Sequence, residues 1–421
     1  MNDYIFKKAE NEAELQELVI LFNQVFYPEK VGELAKVLTH HFPNMSYKNW
    51  YIAQDNLSTK IVSGFALIPW KWQMQGIPLK VAEMGIVGTA EQHRNKGLFK
   101  RCNTLFQEEL MSQEFDLSVI QGIPGIYHRL GYHYALPLEH HTELPLYAIC
   151  NKERSLNFRL ANEGDLAFLL NEDDTHYKTY AIGSKRSKAQ WEYILNESNQ
   201  TEYASDLYII ETPKKAYYLR LLNEGFGQGL IVSEASCNMP HKVLEESLLF
   251  LKQEATVKER PYIRLNLPDS HCLVQHALDY EARLKPAYGW QVKIIEPVRF
   301  MRKIGSLLVQ RVQNSKFKGL TAIITLDLYT SQLNLEFTDG QLVNVNDEKR
   351  ETSDYMMSIP DDLLAALVLG HRTWRELQYN RPDIFPGDQY LRMDVARPAE
   401  ISGVLIDVIF PKLDSWVYCQ Y

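Results

Sequence analysis

The stretch VGTAEQHRNKGLF, Val87 to Phe99, joins an apolar run to a helical pattern and places Arg94, Lys96 and Gly97 at the joint. Upstream, KIVSGFALIPWKWQMQGIPLKVAEMGIVGTA reads as two strands with a turn at Gln75, Gly76, Ile77 and Pro78. Downstream, Leu98, Cys102, Leu105, Phe106 and Leu110 recur at three- and four-residue steps, which predicts a helix apolar on one face. The N-terminus of such a helix offers unpaired backbone N–H groups and the positive end of a dipole, and a glycine there lets a ligand approach the backbone. With the charge of Arg94 and Lys96 added, the junction reads as a pyrophosphate cradle. Spacing alone leaves open a solvated basic loop before an ordinary surface helix.

Working outward, Leu15, Leu18, Val19, Leu21, Phe22 and Phe26 predict an opening helix over 10–26 with acidic residues in its first turn. NWYIAQ and FDLSVIQG read as strands, whereas PGIYHRLGYHYALP is too irregular for a helix. Near residue 150 the pattern restarts. Phe6 and Ala9 with Leu15 and Leu18 are echoed by Phe158 and Ala161 with Leu166 and Leu169. Strands at DLYIIE, KKAYYLRLLN and GLIVSEAS, a helix at HKVLEESLLFLKQEA and a strand at YIRLNL then keep the order of the first copy. The second copy carries ASCNMPHKVLEE where the first has RNKGLF, so the basic glycine junction is lost there. From about Gly305 a helix at SLLVQRV, a hairpin turning at Asp339 and Gly340, and helices near DDLLAALVLG, TWRELQY and AEISGVLIDVIF predict a small α+β unit. The expected division is therefore 1–150, 151–304 and 305–421.

A chain of 421 residues exceeds the roughly 250–300 at which single cores stop growing. The formal charge of −8 argues against nucleic acid, which is held by concentrated Lys and Arg, and suits small cationic partners. Cys102, Cys150, Cys237, Cys272 and Cys419 show neither zinc-ligand spacing nor a disulfide framework, which points to a reducing cytoplasm. The opening MNDYIFKKAENEAEL has no apolar core of an export signal, and no run approaches the ~18 apolar residues of a membrane span. The expectation is a cytoplasmic protein with no membrane partner.

VGTAEQHRNKGLF resembles the acetyl-coenzyme A signature R-x-x-G-x-G/A of GNAT acetyltransferases, with Arg94 and Gly97 in its first two fixed places and Phe99 departing from the last. Some 30 residues later IYHRLGY resembles the F-Y-x-x-x-G-F element near the cofactor thiol in many of these enzymes. The layout narrows the resemblance to the Eis-type (enhanced intracellular survival) acetyltransferases, and the ending VIFPKLDSWVYCQY is similar to theirs. It implies an α/β (α+β) fold: tandem GNAT folds, each a mixed central sheet flanked by helices, then a sterol-carrier-protein-like α+β domain. The first domain would be catalytic, the second degenerate, and the third would bring the chain's end to the active site.

The resemblance also implies roles. Backbone groups of Val87, Gly88 and Thr89 would bind the pantetheine arm, and the amides of Asn95, Lys96, Gly97, Leu98, Phe99 and Lys100 the pyrophosphate, with Arg94 close by. Gly122 and Ile123 would add a contact after the next strand. A neutral amine attacks the thioester directly and expels the thiolate, so an acid and a base are needed. Tyr127 is the candidate acid, since a phenol of pKa about 10 suits a thiol of pKa about 8.5. The C-terminal carboxylate on Tyr421 is the candidate base, and Glu83, on the strand entering the site, ranks behind it.

The leading expectation is an acetyl-coenzyme A-dependent N-acetyltransferase acting on a primary amine of a cationic small molecule, such as an aminoglycoside, a polyamine or a lysine-like group, with peptide lysines close behind. The alternative is a non-catalytic acetyl-coenzyme A sensor or hydrophobic-ligand carrier. Family members are often homo-oligomers, several of them hexamers. No metal is expected: His40 with His41 and His140 with His141 are neighbours, which do not ordinarily share a metal face. The Trp70 to Trp72 WKW is expected to cap a hairpin, not to stack nucleic acid bases.

Overall fold

The computed structural model describes residues 3–139, 141–225, 227–386, 399–419 and 421. Helix α1 (Glu12–Val25) begins where the Asn11 side chain accepts from the Glu14 amide, with Glu12 and Glu14 against its positive end. Helix α2 (Val31–His41) follows. The sequence reading passed over it, although Val31, Leu34, Ala35 and Leu38 carry the helical period and are buried. The strands of the first copy are β1 (Tyr4–Lys8), β2 (Trp50–Asp55), β3 (Ile61–Met74), β4 (Ile77–Thr89), β5 (Leu117–Ile120) and β6 (His133–Leu138), with α3 (Leu98–Ser112) between β4 and β5.

The second copy has β7 (His141–Pro145), β8 (Asn157–Leu160), β9 (Ile182–Ser184), β10 (Ser205–Glu211), β11 (Ala216–Leu222), β12 (Leu230–Ala235), β13 (Tyr262–Asn266), β14 (Arg283–Lys285) and β15 (Tyr288–Ile294). Its helices are α4 (Leu166–Thr179), α5 (Lys188–Asn196), α6 (His241–Val257) and α7 (Cys272–Leu278). The echo between the copies extends to individual bonds. Ala9 N–H donates to the Trp50 carbonyl at 2.9 Å, and Ala161 N–H to the Leu207 carbonyl at 2.7 Å, each just past the edge strand of its sheet.

Two sheets result, running β1-β2-β3-β4-β5-β15-β6 and β14-β7-β13-β12-β11-β10-β8, with β9 paired to β3. Each sheet takes its strand next to β5 or β13 from the far side of the repeat: β15 enters the first and β7 the second. The two copies are thereby interlocked, and hydrophobic side chains from all three parts of the chain merge in one cluster. The exchange also corrects the reading of Trp70 and Trp72. They do not cap a hairpin; both are buried and pack edge-on against Trp290 of β15 at 5.5 and 5.9 Å. The turn below them is the expected one, with Gln75 and Gly76 at φ +46° and +89°.

The last third folds around a five-stranded sheet in which the hairpin of Gln332–Thr338 with Gln341–Asn346 turns at Asp339 and Gly340 as read. Its closing helix, Ala399–Ile409, sends the tail back between the copies. Ala181 N–H donates to the Asp414 carbonyl, Trp416 N–H to the Ile182 carbonyl and the Ser184 hydroxyl to the Tyr418 carbonyl, so residues 414–418 run along β9.

Candidate active site

In the first sheet β4 and β5 are parallel over three residue pairs, Val81 with Leu117, Ala82 with Ser118 and Glu83 with Val119. Beyond Glu83 the two strands part. β4 continues to Thr89 with its bonding edge toward β5 unused, because Ile86 and Val87 together oppose the single Phe65 of β3. This bulge holds Ile86 at φ +52°, a conformation a β-branched residue rarely adopts. Strain of that kind persists where the surrounding fold fixes it, and here it re-aims the arm that Val87, Gly88 and Thr89 provide. Val87 and Thr89 are half-buried, Gly88 is buried, and the Thr89 hydroxyl is held by the Ser63 hydroxyl at 2.7 Å.

The chain then makes a 3₁₀ turn, Glu91–His93, and enters α3 through Asn95 at φ +63° and Gly97 at φ +73°. No side chain caps α3, so the amides of its first turn carry no side-chain acceptor. That is the feature an anion site needs. Gly97 is required by its backbone angle, not by crowding, since a Cβ there would meet nothing within 4 Å. Replacing it by valine forces this turn to rearrange, and coenzyme A binding measured by calorimetry is expected to weaken about tenfold. The two basic side chains diverge: Arg94 Nε folds back on the Thr89 carbonyl at 3.3 Å, whereas Lys96 Nζ donates to the Tyr4 hydroxyl at 3.0 Å. Leu98 is buried under the helix and Lys100 is exposed. Phe99 turns inward, edge-on to Phe65 at 5.5 Å and to Tyr127 at 6.1 Å, so an aromatic side chain at this position packs without blocking the amides.

On the opposite arm Gly122 is buried and Ile123 is 66% exposed. The Gly122 carbonyl accepts from Gln291 Nε2 at 2.8 Å and from the Tyr288 hydroxyl, both on β15. A Cβ on Gly122 would stand 2.3 Å from the Tyr127 ring, so the glycine is what lets that ring lie flat against the loop. Tyr127 opens a 3₁₀ turn, is 6% exposed, and burial pushes its phenol up to about 12.

Where the strands part sits Glu83, 3% exposed. Burial pushes its carboxyl up to about 8, against donation from the Tyr421 hydroxyl. The Tyr421 hydroxyl donates to its two oxygens at 3.0 and 3.1 Å. Tyr421 is itself buried, its ring edge-on to Trp70 at 5.9 Å and Phe42 at 6.0 Å. A main-chain oxygen of Tyr421 accepts from the Cys419 thiol at 3.2 Å. Tyr421 and Glu83, the two groups the sequence reading named as candidate bases, lie side by side, and the contact between them is made by the Tyr421 side chain. Gln291, Tyr288 and Trp70 were missed as site residues, because strand exchange is not a local property.

The second copy repeats the splay. β12 and β13 pair over Leu230 with Ile263, Ile231 with Arg264 and Val232 with Leu265, then part. Its space is used differently: a cavity of about 70 Å³ between the two splays is lined by Ser233, Glu234 and Asn266, by Gln121 and Tyr421, and by Trp416, Tyr418 and Cys419 of the tail. Arg186, fully buried, clamps Glu234 with bonds of 2.8 and 2.6 Å and also donates to the Cys419 carbonyl. Arg220 adds a third bond to Glu234 at 2.8 Å. Burial raises the Glu234 carboxyl, but the two guanidinium groups outweigh it and hold the group below its ordinary range.

Among the described residues no group of three or more His, Cys, Asp or Glu is arranged to hold a metal, and no helix is long and apolar enough to cross a membrane. His40 pairs with Glu12 at 3.2 Å, and His141 with Glu143 at 3.1 Å; His140 lies outside the described residues.

Two parallel strands that part beside a bulge, followed by an uncapped helix with a left-handed glycine, form a main-chain cradle of the kind that binds a phosphate-bearing ligand. Residues 7–135 match the family model described as acetyltransferase (GNAT) domain. The whole chain is similar in structure to a GCN5-related N-acetyltransferase from Anabaena variabilis, with 14% identity, 99% of each chain covered and a TM-score of 0.68. An Enterococcus faecalis protein described as a probable N-acyltransferase gives 14% identity, 99% of each chain and a TM-score of 0.69. Eis1 from Mycobacterium abscessus gives 12% identity over 99% of this chain and 100% of its own, with a TM-score of 0.63. No curated protein sequence matches. Residues 7–135 are thus similar to a GNAT acetyltransferase domain, and the chain as a whole shares its fold with these structures, Eis1 among them.

Proposed function

We propose that the protein transfers the acetyl group of acetyl-coenzyme A to a primary amine of a cationic small molecule. The observation that carries this reading is the placement of a buried carboxyl, Glu83, where β4 and β5 part, with Tyr127 on the loop after β5. The residues present suit the cosubstrate: the freed edge of Val87, Gly88 and Thr89 for the pantetheine amides, and the uncapped start of α3 with Gly97 for the pyrophosphate. Arg94, anchored on the Thr89 carbonyl, adds charge beside that turn. The cosubstrate supplies an activated thioester.

The protein's part is binding, exclusion of water and two proton movements. Tyr127, a weak acid in a buried setting, holds its proton until a thiolate develops and then supplies it. Glu83 accepts the proton the incoming ammonium must lose; a carboxyl raised to about 8 is a far stronger base than an exposed one. Tyr421 orients Glu83 by donating to both its oxygens, and its carboxylate is the other candidate base. The exposed Glu29 and Glu224 and the half-buried Glu202 favour a cationic acceptor; burial, with the charges of Glu29 and Glu224, pushes Glu202 up to about 7. In this reading residues 1–150 form the catalytic domain, 151–304 its degenerate copy and 305–421 the unit that delivers the tail.

The test is thiol release from acetyl-coenzyme A across aminoglycosides, polyamines and lysine peptides. Turnover on at least one cationic amine is expected. Tight cofactor binding without turnover on any amine would replace the enzyme reading by a sensor. In the same assay Tyr127→Phe is expected to lower kcat about a hundredfold while the Kd for coenzyme A stays unchanged.

A further inference from the structure

The cavity of about 70 Å³ between the two splays has room for a small polar group, and its walls hold more donors than they use. Four lining residues carry a buried donor with no partner among the described residues: Arg220 at Nη2, Trp290 and Trp416 at the indole N–H, and Tyr418 at the hydroxyl. None of the four is more than 4% exposed. Unpaired donors at that depth are rare, and they call for an acceptor that the fold does not itself supply. They belong to β11, β15 and the tail, so only the folded chain brings them to one cavity.

The two carboxylates of the lining are already engaged. The Glu234 oxygens receive Arg186 Nη1 and Nη2, Arg220 Nη1 and the Tyr218 hydroxyl, and Glu139 pairs with Arg264 at 3.4 Å. Charges alternate along a buried row: Asp173 lies 3.9 Å from Arg186, and Arg186 and Arg220 both bond Glu234. The row ends on Arg220, whose Nε donates to the Ser205 hydroxyl at 2.8 Å, which leaves Nη2. The same cavity touches Tyr421, whose hydroxyl donates to Glu83, and Gln121, which precedes Gly122 on the opposite arm of the cradle.

We infer that this cavity receives the carboxylate of the acceptor, on the free donors of Arg220, Trp416 and Tyr418, and that the amine to be acetylated belongs to a basic amino acid such as lysine or ornithine. This deepens the proposed function and rests on it. Such an acceptor is cationic overall but carries one group that only accepts hydrogen bonds, which matches walls that offer donors. A bond from a guanidinium to a carboxylate is charge-assisted and stronger than a neutral one. A protonated polyamine brings further donors and leaves the four of the cavity unpaired, a mismatch that discriminates strongly. A sugar hydroxyl can accept but brings no charge to Arg220.

The experiment uses the full-length protein and diamines that differ by that group alone, lysine against cadaverine and ornithine against putrescine. Binding is measured by calorimetry with coenzyme A present, and kcat/KM by thiol release from acetyl-coenzyme A. The wild type is expected to favour the carboxylate-bearing member of each pair about a hundredfold in both readouts. Trp416→Phe and Tyr418→Phe each remove one donor and keep an aromatic ring, so each is expected to narrow that preference about tenfold at an unchanged Tm. A wild type that treats the pairs alike overturns the inference, and so does a loss in the variants that falls equally on lysine and cadaverine. Preference in binding with no turnover on any amine keeps the carboxylate site and removes the acetyltransferase reading. Turnover on polyamines without preference for the amino acids does the reverse.

Discussion

Replacing Glu83 by glutamine is expected to lower kcat by about 10² to 10⁴ with little change in coenzyme A affinity, the range typical of losing a general base. The substitution keeps the size of the side chain and an oxygen to accept from the Tyr421 hydroxyl, so the tail keeps its anchor. The wild-type rate should rise with pH through about 8, because only the deprotonated carboxylate can accept a proton. In Glu83→Gln that rise disappears. The same shift has a stability signature whose sign is fixed. In the unfolded chain the carboxyl ionises near 4.5, in the folded protein near 8, so between those values the folded state binds the extra proton. Stability from this group is complete below pH 4.5 and is lost as pH rises through 8. Glu83→Gln abolishes that loss, so thermal melts at pH 5 and pH 9 should converge in the variant, and a melt at pH 9 no lower than wild type would show that its inactivity is not unfolding.

Arg186→Ala is expected to cost about 3–5 kcal/mol, the usual consequence of removing one member of a fully buried ion pair. The loss does not measure the worth of the attraction. It arises because Glu234, 1% exposed, would keep only the bonds from Arg220 and the Tyr218 hydroxyl and would lie charged in a poorly solvating interior. Arg186 also ties the Cys419 carbonyl, so the tail loses its clamp two residues before Tyr421. Denaturant unfolding should show the lower midpoint, and limited proteolysis should show faster cleavage near 414–419. Thiol release is expected to fall as well, because the Tyr421 hydroxyl no longer has a fixed position on Glu83. Arg186→Lys should recover little of this, since an ammonium cannot make the paired bonds that the guanidinium makes to both Glu234 oxygens. An unchanged midpoint in Arg186→Ala would mean that the tail is held by packing alone.

The second copy thus shows how one fold element acquires a different use. Both copies part their central strands after three residue pairs. In the first, the helix that follows starts without a side-chain cap behind a left-handed glycine. In the second, Pro240 precedes α6, and the cavity beside the arms is lined by the tail and by Arg220 and Glu234.

Local sequence determined whatever depends on a few neighbouring residues. The Gln75–Gly76 turn, the left-handed Gly97 before α3, the apolar stripe of Leu98, Cys102, Phe106 and Leu110, and the echo of Phe6 and Ala9 at Phe158 and Ala161 follow from backbone sterics and side-chain period. The junction before α3 was legible for that reason, since it is made of main-chain atoms whose geometry a short motif can impose. Tertiary structure decided what depends on partners far along the chain. The exchange of β7 and β15, which buries Trp70 and Trp72 against Trp290 and ties Gly122 to Gln291, has no local signal because either sheet could accept either strand by pattern alone. The pairing of Tyr421 with Glu83, separated by 338 positions, arises only when the tail is drawn along β9 and clamped by Arg186. A carboxyl's basicity is set by its burial and its donors, and those are properties of the assembled core, not of the residue.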